Sequence, residues 1–419
     1  MNVLHVNTDD IKFGAGRAAY RLHRALQSAG VRSRMLVQDK YSDDSTVIGQ
    51  EGFIQRGFTV AAMLLDKLPL LRYRNVNYNN WNLNWYPRRV LSKIRICKPD
   101  IVHLPWIGNG FIPIAAIPKL RVPVVWTFHD MWAFTGGCHY TLSCTRFINA
   151  CGKCPQLQSG QENDISRQTW NRKHTRWRDL DFNIIALNRW MEDSVRKSSL
   201  LRDKEITVIP NCIDPDTYKP VQKTEARKNL GLPEEKKLLL FGAVHSTSDP
   251  RKGYRYLQSA MARVASDPTM NNTELVIFGA SKPVEEPRED LKTHYMGTIS
   301  DEATIASLYS AADVFIAPSI QDNLPNTVLE ASACGTPSVA FDTGGLPDLI
   351  EHKKTGYLAQ SSDSDDLCRG IKWVLEDEMR YRELSFNARR KAEREFSPGS
   401  VAKKHIDLYT GILDTLRGS

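Results

Sequence analysis

The stretch VPVVWTF, residues 122–128, is apolar at nearly every position and rich in β-branched side chains. Two further stretches have the same character, LLLFGA at 238–243 and LVIFGA at 275–280. Strands in which polar and apolar residues do not alternate are covered on both faces, as in parallel sheets. Amphipathic helical segments lie between the strands, so the order of elements predicts an α/β fold with parallel sheets.

The predicted strands form two groups, separated by the segment IPNCIDPDTYKP at 209–220. Its three prolines and lack of periodicity indicate an interdomain linker. We therefore predict two doubly wound, Rossmann-like domains at 1–205 and 206–395, followed by a C-terminal helix at 396–419 that packs back on the first domain. The predicted strands are Val3–Asn7, Arg34–Gln38, Ile101–Leu104, Val122–Phe128, Asn183–Leu187, Ile206–Ile209, Leu238–Gly242, Glu274–Phe278, Val314–Ala317 and Ser338–Phe341.

Composition and charge narrow the class of protein. The chain has 419 residues, 41% of them apolar and 25% charged, which excludes a disordered or collagen-like protein. Residues 1–100 carry 16 Lys and Arg against 8 Asp and Glu, which accounts for the whole net charge of +8. An anionic surface or ligand is therefore expected to meet this first quarter. Because neither a signal peptide nor a long apolar span is visible, we expect a cytoplasmic location.

The segment PSIQDNLPNTVLEASACGTP, residues 318–337, follows a predicted strand and places two carboxylates eight positions apart, Asp322 and Glu330. A helix is predicted to begin near Asn326, capped by Asn326 or Thr327, and the N–H groups at its start would suit a phosphate. Open α/β sheets bind ligands at the carboxyl ends of their strands. Taken singly, Glu330 would be an ordinary surface residue of a helix.

The segment 318–337 resembles the carboxylate–seven residues–Glu signature of family 4 retaining glycosyltransferases, which have the two-domain GT-B fold with a cleft between the domains. The resemblance implies transfer of a sugar from a nucleotide diphosphate sugar to a hydroxyl of a saccharide or lipid-linked acceptor, in cell-surface polysaccharide biosynthesis. Further segments match the family in the same order: NTDDIKFGAGRAAYRLHRAL at 7–26, PDIVHL at 99–104, TFHDMW at 127–132, IPNCID at 209–214, DPRKG at 249–253 and TGGLPDLIEHKKTGYL at 343–358.

The resemblance also implies roles for individual residues, all of them at the donor or beside the reacting sugar. Fixed cations are worth most where the departing diphosphate gains charge. By this resemblance, Glu330 would bind the ribose, and Asn326 and Thr327 would bind the diphosphate, whose charge Arg251 and Lys252 would neutralise as it leaves. The transferred sugar would be contacted by Asp322, by the N–H groups of Asn323 and Leu324, and by His129. The glycines Gly14 and Gly16 would let the backbone approach the ligand.

The chain departs from the family pattern at two places. The family usually has Glu followed by Gly-Phe-Gly, where this chain has Asp-Asn-Leu-Pro at 322–325. Pro325 removes a backbone donor and Asp322 is one methylene shorter, so the donor sugar is expected to differ or to sit differently. The usual Gly-Arg of the second domain is Gly-Ala at 242–243, and we predict that Arg251 supplies the missing guanidinium.

The expected reaction is a same-face displacement in which the leaving diphosphate helps to deprotonate the incoming hydroxyl. No carboxylate pair suggests the two-carboxylate chemistry of a retaining hydrolase. The Asp-x-Asp pairs at 214–216 and 363–365 are interpreted as turn residues, so no catalytic metal is expected. The donor is predicted to be UDP- or GDP-linked.

A second class of enzyme is suggested by GAGRAA at 14–19, which has the form of a dinucleotide-binding fingerprint with Asp39 downstream as the ribose carboxylate. The alternative function is therefore an NAD(P)-dependent oxidoreductase. Six residues, 8–13, separate the predicted strand from Gly14, whereas the first glycine of such a fingerprint follows its strand almost directly. The longer loop favours the glycosyltransferase.

Half of the eight cysteines lie within the segment 138–154. Its closing Cys-Gly-Lys-Cys-Pro is typical of a two-ligand metal turn, and four thiolates suit a structural zinc ion. Unliganded thiols and a redox pair are the alternatives. The predicted ligands are Cys138, Cys144, Cys151 and Cys154, whereas Cys97, Cys212, Cys334 and Cys368 are interpreted as core residues.

The region 53–95 mixes large apolar side chains with cations, a combination that suits the surface of an anionic membrane on the inner face of the cell. Alternating aromatic and basic residues also occur in proteins that bind single-stranded nucleic acid, although no nucleic acid is expected here. The structural alternative is an ordinary pair of helices with a basic, solvent-exposed rim. The residues concerned are Phe53, Phe58, Met63, Leu64, Leu65, Leu68, Leu70, Trp81, Trp85, Arg56, Lys67, Arg72, Arg74, Arg88, Arg89, Lys93 and Arg95.

Overall fold

A computed structural model of the chain describes residues 1–49, 53–73, 81–86, 90–242, 247–280 and 291–418, and for 53–56 and 58 the backbone only. The chain divides into two compact units. Met1–Pro210 and Val401–Ser419 form the first unit, and Asn211–Ser400 form the second. Within the described ranges, no helix is both long and apolar enough to cross a membrane.

The first unit is built on a seven-stranded parallel sheet. The strands, β1 to β7 in chain order, are Asn2–Asp9, Arg32–Asp39, Val47–Ile48, Ile101–Leu104, Val124–Phe128, Asn183–Ala186 and Ile206–Val208. They lie side by side in the order β3-β2-β1-β4-β5-β6-β7. The helices are α1 (Gly14–Ser28), α2 (Phe53–Lys67), α3 (Val90–Cys97), α4 (Ile165–Trp177), α5 (Arg189–Lys197) and the last helix of the chain, α13 (Pro398–Gly418).

The second unit contains a six-stranded parallel sheet. Its strands, β8 to β13, are Lys237–Gly242, Thr273–Phe278, Thr293–Tyr295, Val314–Ala317, Ser338–Phe341 and Gly356–Ala359, in the order β10-β9-β8-β11-β12-β13. The helices are α6 (Lys223–Asn229), α7 (Tyr254–Ser266), α8 (Glu302–Ala311), α9 (Asn326–Ala333), α10 (Leu346–Leu349), α11 (Ser364–Leu375) and α12 (Glu378–Glu395).

The predicted fold class, two Rossmann-like parallel α/β domains, is confirmed by these sheets. Every predicted strand is present, because continuous apolar runs are buried on both faces of a covered sheet. The strands at 47–48, 293–295 and 356–359 were not predicted. They are edge strands of two to four residues with partly exposed positions, so they lack a clear apolar run.

The boundary between the units lies after Pro210 rather than after residue 205. Strand β7 pairs in parallel with β6, through Ile184 with Ile206 and Ala186 with Val208, and therefore belongs to the first sheet. The predicted second domain, 206–395, thus begins a few residues too early. The proline-rich segment starts only where this edge strand ends.

Helix α13 belongs to the first unit from Val401 onwards. Its buried face consists of Val401, Ala402, His405 and Tyr409. The Tyr409 hydroxyl lies 2.6 Å from Nδ1 of His103, a buried residue of β4. This contact fixes the end of the chain to the centre of the first sheet.

Each sheet has one place where the chain changes the direction in which it adds strands. In the first sheet this switch point lies between β1 and β4, and in the second sheet between β8 and β11. The loops after two such strands diverge to opposite faces and leave a crevice at the carboxyl edge. The segments after β1, β8 and β11 are therefore the first places to look for a ligand site.

Candidate active site

In the second unit, the loops after β8 and β11 bring a lysine and an aspartate together. Lys252 Nζ lies 2.5 Å from Oδ2 of Asp322, and both side chains are largely buried. Ser319 donates a hydrogen bond to the same carboxylate oxygen at 3.3 Å, and the N–H of Asn323 donates to Oδ1 at 3.1 Å. The predicted residues Lys252 and Asp322 thus form one charged pair at the switch point.

Backbone contacts fix the loop of Lys252 against the loop after β11. The N–H of Ile320 donates to the carbonyl oxygen of Arg251 at 2.8 Å. Gly253 has a φ of +71°, and a Cβ atom there would lie only 1.8 Å from the carbonyl oxygen of Pro318. Glycine satisfies both the left-handed conformation and the close approach. The DPRKG segment therefore needs its glycine to place the lysine.

A second glycine supports Asp322 from the loop after β12. Gly344 has a φ of +58°, and a Cβ atom there would lie 2.0 Å from the carbonyl oxygen of Asp322. The N–H of Gly345 donates to that same oxygen at 3.0 Å. The Thr-Gly-Gly segment at 343–345 therefore holds the backbone of the aspartate.

The charge state of Asp322 follows from its neighbours. Burial would raise the pKa of this carboxyl, but the positive charges of Lys252 and Arg251 outweigh that effect and hold the pKa below its ordinary value. Asp322 is thus ionised at neutral pH beside two cations. Buried ion pairs of this kind are costly to separate, since a lone buried charge has no compensation.

Arg251 makes a contact of its own. Its Nη2 lies 2.6 Å from Oδ2 of Asp249, whose other oxygen accepts from the N–H of Arg251 and so caps the short 3-10 turn at Pro250–Lys252. The guanidinium is thereby tied to its own turn. After Lys252, its positive charge also contributes to the lowered pKa of Asp322.

Helix α9 carries the remaining residues that are predicted to bind the nucleotide-sugar donor. It begins at Asn326 with Pro325 in the N-cap position, and in the described part of the chain no side chain caps it. The predicted capping by Asn326 or Thr327 is therefore wrong, because both residues already lie within the helix. Oδ1 of Asn326 instead accepts a hydrogen bond from Asn211 at 3.1 Å.

Glu330 lies one turn further along α9 and is buried. The hydroxyl of Tyr309, on α8, donates to its Oε2 at 3.0 Å. Tyr309 is itself fully buried and packs edge-on against Phe278 and Phe315. Sequence reasoning missed Tyr309, since nothing in the α8 segment separates this tyrosine from an ordinary core residue. Glu330 is thus not the solvated surface residue that its helical setting alone would suggest.

In the first unit, the glycine-rich start of α1 meets a carboxylate. A Cβ atom on Gly16 would lie 2.0 Å from Oδ1 of Asp9, the last residue of β1. The same oxygen accepts from the N–H groups of Lys12 and Phe13 at 3.1 and 3.2 Å. Burial raises the pKa of Asp9 to about 6, although these two N–H groups oppose the shift. Gly14 is the first residue of the helix.

The position of Asp9 bears on the alternative function as an oxidoreductase. In a dinucleotide-binding fold, the second glycine lets the backbone approach the pyrophosphate. Here the space in front of Gly16 holds a carboxylate, and Asp10 and Asp39 lie near enough to raise the pKa of Asp9 further. Three carboxylates would repel a pyrophosphate at this place. Asp9 was not singled out in the sequence, although it directly precedes the loop before the fingerprint.

His129 directly follows β5 and lines a small cavity of about 10 Å³ together with Trp106 and Asp130. Burial lowers the pKa of His129 to about 4, although Asp130 opposes the shift, so the imidazole is neutral at neutral pH. Nδ1 of His139 lies 2.5 Å from Oδ2 of Asp130, and the indole N–H of Trp106 donates to the same oxygen at 2.6 Å. His139, which lies in the cysteine-rich segment, was not predicted.

The four cysteines of the 138–154 segment all line one cavity of about 10 Å³, and each carries a free thiol. As they are placed, neither they nor any other described group of three or more His, Cys, Asp or Glu side chains forms a ready metal-binding set. The zinc site predicted at these four cysteines therefore stays a prediction.

The basic region 53–95 is partly exposed. On and after α2, the side chains of Val60, Leu64, Leu65, Leu68 and Leu71 are exposed. By contrast, Leu70 and Trp81 are buried against Cys138 and Cys154, so they belong to the core and not to a surface. Arg74, Arg88 and Arg89, and the side chains of Phe53, Arg56 and Phe58, lie outside the described residues.

Comparison with known proteins identifies the family. The model of Glycosyltransferase Family 4 matches residues 14–217, and the model of Glycosyl transferases group 1 matches residues 222–391. A D-inositol 3-phosphate glycosyltransferase of Saccharomonospora viridis is 30% identical over 338 residues, which cover 76% of this chain and 72% of the relative. The chain therefore belongs to the group 1 glycosyltransferases of family 4, as its motifs predicted.

Other relatives and solved structures agree with this fold. An uncharacterized glycosyltransferase of Methanocaldococcus jannaschii is 27% identical over 239 residues, 54% of this chain and 59% of that relative. Sucrose-phosphate synthase of Thermosynechococcus elongatus superimposes with a TM-score of 0.70 at 18% identity, over 99% of this chain and 100% of that chain. Anabaena HepE, solved in complex with UDP-glucose, gives a TM-score of 0.63 at 15% identity, over 98% of this chain and 100% of that chain. These matches are to the GT-B fold that was predicted.

Proposed function

We propose that this chain is a retaining glycosyltransferase that moves a sugar from a nucleotide diphosphate sugar to a hydroxyl of a saccharide or lipid-linked acceptor. The observation that carries the proposal is the buried pair of Lys252 and Asp322 beside the uncapped start of α9. A cation and the N–H groups at the start of a helix suit a diphosphate, and a fixed carboxylate suits sugar hydroxyls. One place in the second unit thus offers complementary groups to both parts of a donor.

In this proposal, each residue that binds the nucleotide sugar has one role. Lys252 and the start of α9 at Asn326 and Thr327 hold the diphosphate, with Arg251 adding positive charge from its turn. Asp322, with the backbone of Asn323 and Leu324, orients the transferred sugar, and Glu330, held by Tyr309, accepts hydrogen bonds from the ribose. The buried hydrogen bond from Tyr309 fixes one carboxylate oxygen of Glu330, and this supports the proposed role of Glu330 in ribose binding.

The chemical step is a same-face displacement. The bond between the anomeric carbon and the diphosphate oxygen breaks, a bond from that carbon to the acceptor oxygen forms, and the acceptor proton passes to the departing diphosphate. Because negative charge accumulates on the leaving group, the preorganised charge of Lys252 stabilises the transition state more than the ground state. Two side-chain cations supply this charge, so the proposal needs no catalytic metal ion.

The first unit is proposed to serve the acceptor. His129 is neutral at neutral pH and can accept or donate a hydrogen bond to a sugar hydroxyl without adding charge. The exposed apolar residues Leu64, Leu68 and Leu71 lie on a unit whose first hundred residues hold the whole net charge of the protein. This combination supports contact with an anionic membrane surface, where a lipid-linked acceptor would be met, in the cytoplasm.

A donor panel tests this proposal. The protein is incubated with UDP-, GDP- and ADP-linked hexoses and with NAD(H) and NADP(H), while thermal shift and release of nucleoside diphosphate are measured. We expect stabilisation by one nucleoside diphosphate series, release that is stimulated by a sugar acceptor, and a product that keeps the anomeric configuration by proton NMR. Stabilisation by nicotinamide nucleotides alone, or an inverted product, would refute the proposal. HepE of Anabaena was solved in complex with UDP and with UDP-glucose, so the UDP series is tested first.

A further inference from the structure

The loop between β5 and α4 gathers four cysteines around one cavity. Cys138, Cys151 and Cys154 are buried and Cys144 is half-buried, and all four line a space of about 10 Å³. That is roughly the space of a single water molecule or ion. Four free thiols are an unusual lining for a cavity of this size, because thiols are weak hydrogen-bond partners for a water molecule inside it.

Backbone N–H groups point at two of these sulfur atoms. The N–H of Gly136 donates to Sγ of Cys151 at 3.1 Å, and the N–H groups of Gln156 and Leu157 donate to Cys154. These N–H groups hold the two sulfur atoms in place. The turn between the two cysteines is fixed by Gly152, which has a φ of +139° and on which a Cβ atom would lie 2.4 Å from the carbonyl oxygen of Glu162. The Cys-x-x-Cys segment is thus a built turn with amides directed at sulfur.

A buried lysine lies beside the same cysteines. Lys173 of α4 is fully buried, and its ammonium donates to the carbonyl oxygens of Trp132 and Thr135 and lies 3.7 Å from the centre of the Trp132 ring. In the part of the chain that the structure describes, it forms no ion pair with a carboxylate. Thr135, whose carbonyl oxygen it contacts, directly precedes Gly136, the donor to Sγ of Cys151. The carboxylate of Asp130 also interacts with the charge of Lys173. A buried cation needs nearby negative charge, of which Asp130 supplies a part and zinc-bound thiolates would supply more.

We propose that Cys138, Cys144, Cys151 and Cys154 bind one zinc ion as a tetrahedral four-thiolate site, with Lys173 buried next to it as a counter-charge. Zinc binding replaces four thiol protons, so the ion and its ligands carry a charge of −2, which the lysine partly compensates. The side chains must turn towards the centre of the cavity, because they are not yet placed as a metal-binding set. Four protein ligands leave no open position, so the ion holds the loop and does not take part in the reaction.

The loop held in this way includes His139, which contacts Asp130 directly after β5. The same loop packs against Trp81, since a Cβ atom on Gly137 would lie 2.7 Å from the ring of that residue. Loss of the ion is therefore expected to loosen the surroundings of His129 without removing any group that contacts substrate. The inference does not depend on the proposed sugar transfer, because metal content is measured on the protein itself.

The test is the metal content of the full-length protein, purified in a reducing buffer without metal-affinity steps. We expect close to one zinc per chain by elemental analysis, and we expect cobalt substitution to give the visible and charge-transfer bands of a tetrahedral four-thiolate site. Cys151→Ser and Cys144→Ser should lose the zinc, whereas Cys334→Ser, at a buried cysteine of the second unit, should retain it. Zinc far below one per chain, iron in its place, or oxidised cysteines in the native protein would overturn the assignment.

Lys173→Met tests the counter-charge separately. We expect this variant to lose zinc to a chelator at least several-fold faster than the wild type, while the cobalt spectrum of the loaded protein stays that of a four-thiolate site. The matched control is Lys204→Met, because Lys204 also donates to two backbone carbonyl oxygens, those of Arg178 and Leu180, but belongs to a different part of the unit. Equal rates of zinc loss in both variants and the wild type would contradict the role of Lys173.

Discussion

Lys252 and Asp322 lie seventy residues apart in the chain, and their charged groups are 2.5 Å apart in the second unit. The first follows β8 and the second follows β11, the two strands that flank the switch point of this sheet. Such a position is where open α/β sheets bind ligands. The pair therefore connects the fold of the unit with the chemistry proposed for it.

Removal of the lysine charge should reduce turnover far more than it reduces stability. For Lys252→Ala we expect a loss of about 10²–10³-fold in kcat, since a preorganised group that faces developing charge is worth that much. The measurement is the steady-state rate of nucleoside diphosphate release. Lys292→Ala is the control, because this lysine of the same unit is exposed and pairs with Glu274. An equal loss in both variants would contradict the assignment.

The hydrogen bond from Tyr309 to Glu330 should affect donor binding. Tyr309→Phe keeps the ring packing but removes the hydroxyl, and we expect donor KM to rise about fivefold, the equivalent of one ordinary hydrogen bond of about 1 kcal/mol. kcat should change little, since the ribose is remote from the reacting bond. A fall in kcat with unchanged KM would show that Glu330 has another role.

Gly253 should tolerate no side chain. In Gly253→Ala the new methyl group would meet the carbonyl oxygen of Pro318 in a left-handed conformation, and we expect the second unit to lose at least about 2 kcal/mol of stability. Urea unfolding measures this loss. Gly399→Ala is the control: this glycine lies in α13 with open space around it, so alanine should be neutral or stabilise by about 0.5–1 kcal/mol.

The carboxyl of Asp9 should make stability depend on pH. The pKa of Asp9 in the folded state, about 6, lies above the ordinary value of 3.8, so the folded state binds the proton more tightly than the unfolded chain does. The stability gained from this proton is fully present below pH 4 and is lost as the pH rises through 6. We expect Asp9→Asn to be more stable than the wild type at pH 7.5, by up to about 3 kcal/mol, but not at pH 4. Asp39→Asn, at an exposed aspartate, should show a much smaller difference. A pH-independent gain in Asp9→Asn would contradict this account.

A cluster of buried histidines should destabilise the first unit in acid. Burial holds the pKa of His23 and His405 at about 4, and that of His5 and His103 well below the ordinary 6.5. The unfolded chain therefore binds more protons below pH 6.5, and the free energy of unfolding should fall as the pH drops from 6.5 towards 4. His5→Leu should flatten this slope, as neither ring nitrogen of His5 has a hydrogen-bond partner among the described residues. His352→Leu, at an exposed histidine, is the control; equal slopes would refute the explanation.

Much of this structure could be predicted from the sequence, for identifiable physical reasons. Apolar runs such as 238–243 form buried parallel strands because such strands need no polar face. The 322–330 segment was located through its resemblance to a family, since an acidic residue on a helix is ordinarily exposed. The pairing of Lys252 with Asp322 is a tertiary contact that the family order implied but no local pattern encodes.

Other features could not be predicted, because they depend on contacts between distant segments. β7 joins the first sheet through its pairing with β6, although the segment itself is too short to show this. Asp9 fills the space before Gly16, and Tyr309 holds Glu330, but each reads as an ordinary residue in its local sequence. Pro325 in the N-cap position shows that a polar residue near a helix start is not always its cap.

Calorimetric titration tests the central claim, that the second unit binds the diphosphate of a nucleotide sugar through Lys252. The preferred nucleoside, its monophosphate and its diphosphate are titrated into the wild type and into Lys252→Ala. We predict that the wild type binds the diphosphate at least tenfold more tightly than the monophosphate, and that this advantage disappears in the variant while nucleoside binding is kept. An equal preference for the diphosphate in both proteins would contradict the account.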